Sequence, residues 1–218
     1  QGFKNTAVFS RGIDPNLFSP EYRNSELRKQ WRAHGKTVLL YVGRVSPEKD
    51  LDILIESYNA VYKDFKKQII LVITGDGPLI KKCKNLLPSD TIFTGFKKGA
   101  ALSQIYASSD IFICPSSTET FGNVVLEAMA SGCAVIGCNA GGIGGIIKNR
   151  YNGIKFRIRD SKDLAKTIIE MLENKEFSLR LAENGRVSVL NYSWKKVFEN
   201  LVLICRNVIK PDILSSAG

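Results

Sequence analysis

No hydrophobic run in this sequence approaches the roughly 20 apolar residues that a membrane-spanning helix needs. No secretory signal opens it either: the first residues, QGFKNTAVFSRGIDP, read as internal sequence with no leading Met. The expectation is a cytoplasmic piece of a longer protein. Histidine is nearly absent. His34 is the sole one and stands beside Gly35 at an apparent helix end, where a capping or surface role outweighs catalysis. The five cysteines, Cys83, Cys114, Cys133, Cys138 and Cys205, are odd in number and scattered. Cys133 and Cys138 have the wrong spacing for a zinc knuckle, so reduced, buried thiols are the expected reading. There is no internal repeat, no low-complexity segment, and no basic stripe interleaved with aromatics of the kind that grips nucleic acid.

What is present is ordinary in bulk and uneven in charge. With 218 residues, 44% hydrophobic and 24% charged, the chain can bury one good core or two small ones. Acidic residues fall short of basic ones, leaving a formal net charge of +10. An anionic substrate together with an anionic membrane surface would account for that excess, and so would a merely solvated basic surface.

Apolar runs alternate with amphipathic stretches. VLLYVG at 38–43, IILVITG at 69–75, TIFTG at 91–95, DIFICP at 110–115, AVIGCN at 134–139 and GIKFRI at 153–158 read as buried strands. Helices are expected near 50–65 with Asp50 as N-cap, from Pro78 to about 87, and over 99–108, 122–131, 161–173, 176–187 and 193–209. Six strands alternating with helices predict an α/β fold, a Rossmann-like doubly wound parallel sheet, which binds ligands beyond the carboxyl ends of its strands. The segments 43–49, 75–78, 95–99, 116–123 and 140–145 all follow strands and so converge on one edge.

The most informative of these is PSSTETFGNVVLEAMASG at 115–132. A helix start offers unpaired amides and partial positive charge, a seat for a phosphate, and Gly122 lets a ligand approach the backbone closely. Glu127 lies five residues on, about 7 Å along the axis, the reach from a diphosphate to a ribose. Glu119 lies on the other side, where a group attached to the diphosphate would sit.

This segment resembles the glutamate–seven–glutamate signature of retaining glycosyltransferases of family 4, which have the two-lobed GT-B fold. The resemblance extends to VGRVSPEKDLD at 42–52, TGDGP at 74–78, FTGF at 93–96, ASSDIFICPS at 107–116 and AVIGCNAGG at 134–142. The spelling ETFGNVVLEAMASG is similar to members that use GDP-mannose and to sulfolipid-synthase-like enzymes that use UDP-sugars. Gly12, Ile13, Asp14, Phe18 and Pro20 resemble the connector between lobes. The resemblance therefore implies a connector at 1–20, a donor-binding domain at 21–192 and a crossing helix with tail at 193–218, carrying Trp194. The N-terminal acceptor domain, with the family's active-site histidine, is expected to be absent.

The resemblance also implies roles. Arg44 and Lys49 would stabilise the departing diphosphate, Glu119 would face the transferred sugar and Glu127 would hold the ribose. Taken alone, Arg44 and Lys49 would be solvated surface, Glu119 a loop charge or N-cap, and Glu127 a solvent-facing helix residue. Glu127, however, sits among apolar neighbours where an unpaired carboxylate is costly. Gly43 follows the first strand, Gly75 belongs to a tight loop that reads equally well as a strand-to-helix turn or as lying near the nucleotide, and Thr120, Phe121, Gly122, Asn123 and Val124 would fix sugar and diphosphate through their backbone. The base would meet the segment from Phe96 to Leu102.

Asp50-Leu51-Asp52 spells the D-x-D of metal-dependent transferases of another fold, and helix capping is the better account here. No divalent metal is required, and no cofactor beyond the nucleotide diphospho-sugar donor. AGGIGGI at 140–146 lacks dinucleotide-fingerprint spacing and carries Gly145 where the family usually has an acidic residue. The expectation is the donor half of a retaining hexosyltransferase acting on a lipid or glycan. GDP-mannose is the first choice of donor and a UDP-hexose the second, with peripheral contact to an anionic membrane. A non-catalytic nucleotide-sugar-binding module is the alternative; a GT-B-shaped sugar epimerase lacks the glutamate signature, and nucleic-acid binding ranks behind both.

Overall fold

The computed structural model describes residues 11–213, with side chains for all of these except Asn191 and 207–213. Six strands, β1 (Thr37–Val42), β2 (Ile69–Thr74), β3 (Ile92–Gly95), β4 (Ile111–Cys114), β5 (Ala134–Cys138) and β6 (Ile154–Phe156), form one sheet. Its order is β3-β2-β1-β4-β5-β6 and every pairing is parallel. The chain winds outward from β1 to one edge, then returns to start again at β4. The order therefore reverses between β1 and β4, the point at which doubly wound sheets place their ligand sites.

Residue alternation sorts the core onto the two faces. Leu39, Tyr41, Leu71, Ile73, Ile111, Ile113 and Ile136 point to one side, Val38, Leu40, Ile70, Val72, Phe112 and Val135 to the other. The first face is covered by α2 (Leu51–Phe65), α3 (Ile80–Leu86) and α7 (Ser161–Glu173); the second by α1 (Ser25–Gln30), α4 (Gly99–Ala107) and α5 (Asn123–Ala130). Because both faces are covered, β2, β4 and β5 are buried throughout, without a polar-out alternation, whereas the edge strand β6 alternates around Lys155. Phe112 is fully buried, and Phe112→Ala would cost roughly 3–5 kcal/mol.

α6 (Ile143–Ile146) and α8 (Lys175–Val189) complete the second half. α1 and α6 have no counterpart among the expected helices. α1 is six residues with none buried, and α6 is IGGI, two of whose four residues are poor helix formers. α3 begins at Ile80, after rather than at Pro78. α9 runs from Trp194 to Ile213 and exposes Trp194, Phe198, Val202 and Leu203. The segment at 11–20 lies beside its start: the Ile13 amide donates to the Tyr192 carbonyl at 2.8 Å, and Gly12 abuts the Trp194 ring. Phe18 turns inward, edge-on to Tyr106 at 5.8 Å between centroids. Residues 1–10 of the expected connector and 214–218 of the expected tail lie outside the described residues. Cys83, Cys114, Cys133 and Cys138 are buried thiols as expected, whereas Cys205 is exposed. No helix among the described residues is long and apolar enough to cross a membrane.

Candidate functional site

The β1–β4 reversal is spanned by two loops that interlock. The loop after β1 carries Arg44 and Lys49, and the loop after β4 carries Glu119. Lys49 Nζ donates to Glu119 Oε2 at 2.7 Å, and both side chains are about one-fifth to one-quarter exposed. The Thr118 hydroxyl donates to the Glu48 carbonyl at 3.0 Å. Behind the Glu119 loop, the Gly142 amide donates to the Glu119 carbonyl at 2.8 Å. A Cβ at Gly142 would run into the Thr120 carbonyl oxygen and one at Gly141 into the Glu119 carbonyl oxygen, so these two glycines of AGGIGGI serve close packing of one loop on another. Gly145 has open space around it, and the loop is braced by main-chain contacts without an acidic side chain there.

Beyond this loop Gly122 turns the chain into α5. Its φ of +63° is left-handed, which glycine adopts freely, and no side chain caps the helix start. The first amides of a helix have no intrahelical acceptor, so an uncapped start favours an anion. One turn on, Glu127 is half-buried and its Oε2 accepts from the Tyr106 hydroxyl at 2.9 Å. Burial raises the Glu127 carboxyl to about 7, against the opposing pull of the Tyr106 hydroxyl. Tyr106 is fully buried with its ring between Phe18 and Phe112, and burial beside Glu127 pushes its own phenol well up.

A cleft of about 420 Å³ opens at the ends of β1, β2 and β3. It is lined by Gly43, Arg44, Gly75, Phe96, Leu102, Val124 and Glu127 from the sequence expectation, and by Val42, Thr74, Asp76 and Lys97. Phe96 is 71% exposed, an aromatic face open to stacking. Lys49 and Glu119 face each other in the interlocked loops that flank the β1 and β4 ends. Thr120, Phe121, Gly122 and Asn123 are not among the lining residues; they form the turn into α5. The Phe121 ring lies under the Arg11 guanidinium at 4.4 Å.

Two features escaped the sequence. Tyr106 has no local signal, since it reaches Glu127 across 21 positions through helix packing. The capping expectation for Asp50 is corrected: it stands at the start of α2, but its side chain caps nothing. Instead Oδ2 accepts from the Ser117 amide at 2.8 Å and hydroxyl at 2.6 Å, and Oδ1 from Arg159 at 2.9 Å. Arg159 also holds Asp52 at 3.1 Å, so one guanidinium engages both carboxylates of the D-x-D. His34 is exposed, in a turn.

A doubly wound parallel sheet with strand order 3-2-1-4-5-6, reversing between β1 and β4, is the architecture of the C-terminal half of GT-B glycosyltransferases. Residues 23–188 match the model of the family described as glycosyl transferases group 1, and the chain belongs to that family. It is 34% identical over 205 residues to a GDP-mannose-dependent alpha-mannosyltransferase of Mycobacterium tuberculosis, covering 93% of this chain and 51% of that protein. It is 32% identical to the sulfoquinovosyl transferase SQD2 of Arabidopsis thaliana, covering 86% of this chain and 37% of the relative. Among solved structures, Anabaena HepE in complex with UDP and glucose superimposes with a TM-score of 0.78 at 25% identity, covering 89% of this chain and 55% of HepE. The chain thus spans about half the length, or less, of the relatives it matches.

Proposed function

We propose that this chain is the donor-binding half of a retaining glycosyltransferase that moves a hexose from a nucleotide diphospho-sugar to a lipid or glycan. The observation that carries this reading is the paired Lys49 and Glu119 at the β1–β4 reversal, beside a cleft walled by Arg44 and Glu127. GDP-mannose is the favoured donor, on the likeness to the mannosyltransferase, and a UDP-hexose is second, on the likeness to HepE, which was solved with UDP and glucose.

The chemistry follows from charge. Breaking the sugar–phosphate bond puts about two negative charges on the leaving diphosphate, and fixed cations lower that barrier. Arg44 would grip phosphate oxygens with its planar fork and Lys49 would act as a point charge. On donor entry Lys49 exchanges Glu119 for phosphate, and Glu119 exchanges Lys49 for sugar hydroxyls. Glu127 takes the ribose diol, and the uncapped start of α5 supplies amides to the diphosphate. With both charges met by side chains, no divalent cation is needed. The incoming hydroxyl is deprotonated by a donor phosphate oxygen on the face the leaving group departs from, which retains configuration. The acceptor is bound by a preceding lobe, and the exposed apolar face of α9 supports such a neighbour. The basic excess suits peripheral contact with an anionic membrane.

Calorimetric titration with GDP, GDP-mannose, UDP and UDP-glucose, with and without magnesium, tests the reading. Metal-independent binding of one nucleotide family, weakened in Arg44→Ala and Glu127→Ala, is the expected result. Absence of any binding at millimolar concentration would overturn it for the isolated chain. A donor that binds, but is not transferred once the preceding lobe is restored, would favour a non-catalytic module.

A further inference from the structure

Asp50 is the most heavily engaged carboxylate at this edge of the sheet, and nothing in the proposed chemistry uses it. It is 4% exposed and adopts a left-handed backbone, φ +49°, that residues with a side chain other than Asn and Asp seldom tolerate. Left-handed Asp normally appears where its side chain finds a local hydrogen bond, and an Asp at the start of a helix normally caps it. Asp50 does neither. Its carboxylate turns away from α2 and takes three donors from distant loops: the Ser117 amide, the Ser117 hydroxyl and Arg159. A carboxylate accepting two short hydrogen bonds from one residue holds that residue in position and orientation together.

What it holds is informative. Asp50 follows Lys49 directly, and Ser117 precedes Glu119 by two. The bonds alternate across the two loops: Thr118 to the Glu48 carbonyl, Lys49 to Glu119, Ser117 to Asp50. Of these, the Lys49–Glu119 pair must open when a donor enters, whereas the Asp50–Ser117 bonds face the buried side and can persist. Arg159, from the turn after β6, closes the far side of Asp50 and so anchors the junction to the edge of the sheet.

We propose that Asp50 is a positioning residue that fixes the Lys49 and Glu119 loops relative to each other, so that the diphosphate-and-sugar end of the donor site stays formed when their mutual ion pair opens. The inference rests on the donor-site reading above.

The test is a double-mutant cycle read by calorimetric titration with GDP-mannose and UDP-glucose, using whichever the wild-type chain binds. Asp50→Gly keeps the left-handed backbone and removes the carboxylate. Asp50→Asn keeps an acceptor for the Ser117 amide and loses the Arg159 ion pair. Asp50→Gly is expected to weaken donor binding about tenfold, with Asp50→Asn intermediate. In a background lacking both positioned groups, Lys49→Ala with Glu119→Ala, Asp50→Gly should add less than about twofold, whereas in a Glu127→Ala background its full effect should remain. Asp50→Asn carries the same cycles if Asp50→Gly does not give a folded chain. Full additivity with the paired Lys49→Ala and Glu119→Ala changes, or donor binding by both Asp50 variants at wild-type strength, overturns the proposal while leaving the donor site standing. A wild-type chain that binds neither donor overturns the donor site, and this inference with it.

Discussion

The two glutamates of the signature segment sit in contrasting surroundings. Glu119 is on a loop, held by the cation of Lys49, in a junction built from main-chain and side-chain bonds between three loops. Glu127 is on a helix, held by a neutral hydroxyl, against a buried aromatic cluster. Eight residues apart, they belong to different physical regimes. At the Glu119 end charge meets charge, which suits the proposed exchange of partners with a diphosphate sugar. At the Glu127 end a carboxylate is partly stripped of water and driven up to about 7, which suits the uncharged diol proposed as its partner. The difference suggests that the segment divides labour: one end senses charge and the other senses shape and hydrogen bonds.

The sharpest way to break that contrast is at the charged end. In a protein that includes the acceptor lobe, Lys49→Ala should lower the transfer rate about 10²–10³-fold, the scale of losing one fixed stabiliser of developing charge. Steady-state kinetics would check it, and a loss below tenfold would remove Lys49 from the leaving-group role. At the other end the largest effect should be on stability. Between the ordinary carboxylate range and about 7, folded Glu127 keeps a proton that the unfolded chain has released, so its contribution to stability falls as pH rises through that window. Glu127→Gln carries no such penalty. It should match wild type near pH 4 and exceed it by up to about 3 kcal/mol at pH 8, in denaturant melts at the two pH values. If Glu127 holds the ribose as proposed, the same variant should bind donor more weakly at pH 8, because an amide replaces the carboxylate. A gap that does not widen with pH would mean Glu127 is ionised throughout.

A smaller effect separates the scaffolds of the two ends. Gly142→Ala should push the Glu119 loop off its brace at a cost of roughly 1–3 kcal/mol, because a Cβ there meets the Thr120 carbonyl. Gly145→Ala, three residues on, has nothing within 4 Å and should be neutral or slightly stabilising in α6. Melting midpoints of the two variants would show it, and equal midpoints would mean the brace is dispensable.

How far the sequence reaches is set by the same contrast. The strands and long helices are legible because buried parallel strands read as unbroken apolar runs between turn residues, and β1 through β6 fall where those runs are. Much of the cleft lining was legible as well: Gly43, Arg44, Gly75 and Phe96 follow strands, and Val124 and Glu127 lie in α5 of the signature segment. Partnerships were not. That Ser117 meets Asp50 across 67 positions depends on β4 lying beside β1, which strand order decides and local pattern does not. Asp50 read as a cap for that reason: position at the helix start was visible, but the direction of its side chain was not. Tyr106 was hidden within an ordinary helix, and only packing against Phe18 and Phe112 aims its hydroxyl at Glu127.

Tyr106 is where the uncharged end can be tuned most gently. Its hydroxyl donates to Glu127, a bond that favours the ionised carboxylate and opposes the upward push of burial. Tyr106→Phe keeps the ring between its aromatic neighbours and removes that one donor, so the Glu127 carboxyl should rise further. Binding to a ribose diol favours the carboxylate, hence donor affinity should climb with pH as Glu127 ionises, and the climb should move to higher pH in the Phe variant. A nucleotide diphospho-sugar is the right probe, because its phosphates do not titrate near neutrality and the pH dependence then reports the protein. At pH 9, where Glu127 should be ionised in the wild type, the variant should lose about 1 kcal/mol of folding stability for the missing hydrogen bond. At pH 5 the carboxyl is protonated in both folded chains and the difference should shrink. A Phe variant whose affinity profile overlays wild type would show that Tyr106 merely fills the core. The ribose end would then be set by burial alone, and the contrast between the two glutamates would reduce to charge against solvent exclusion.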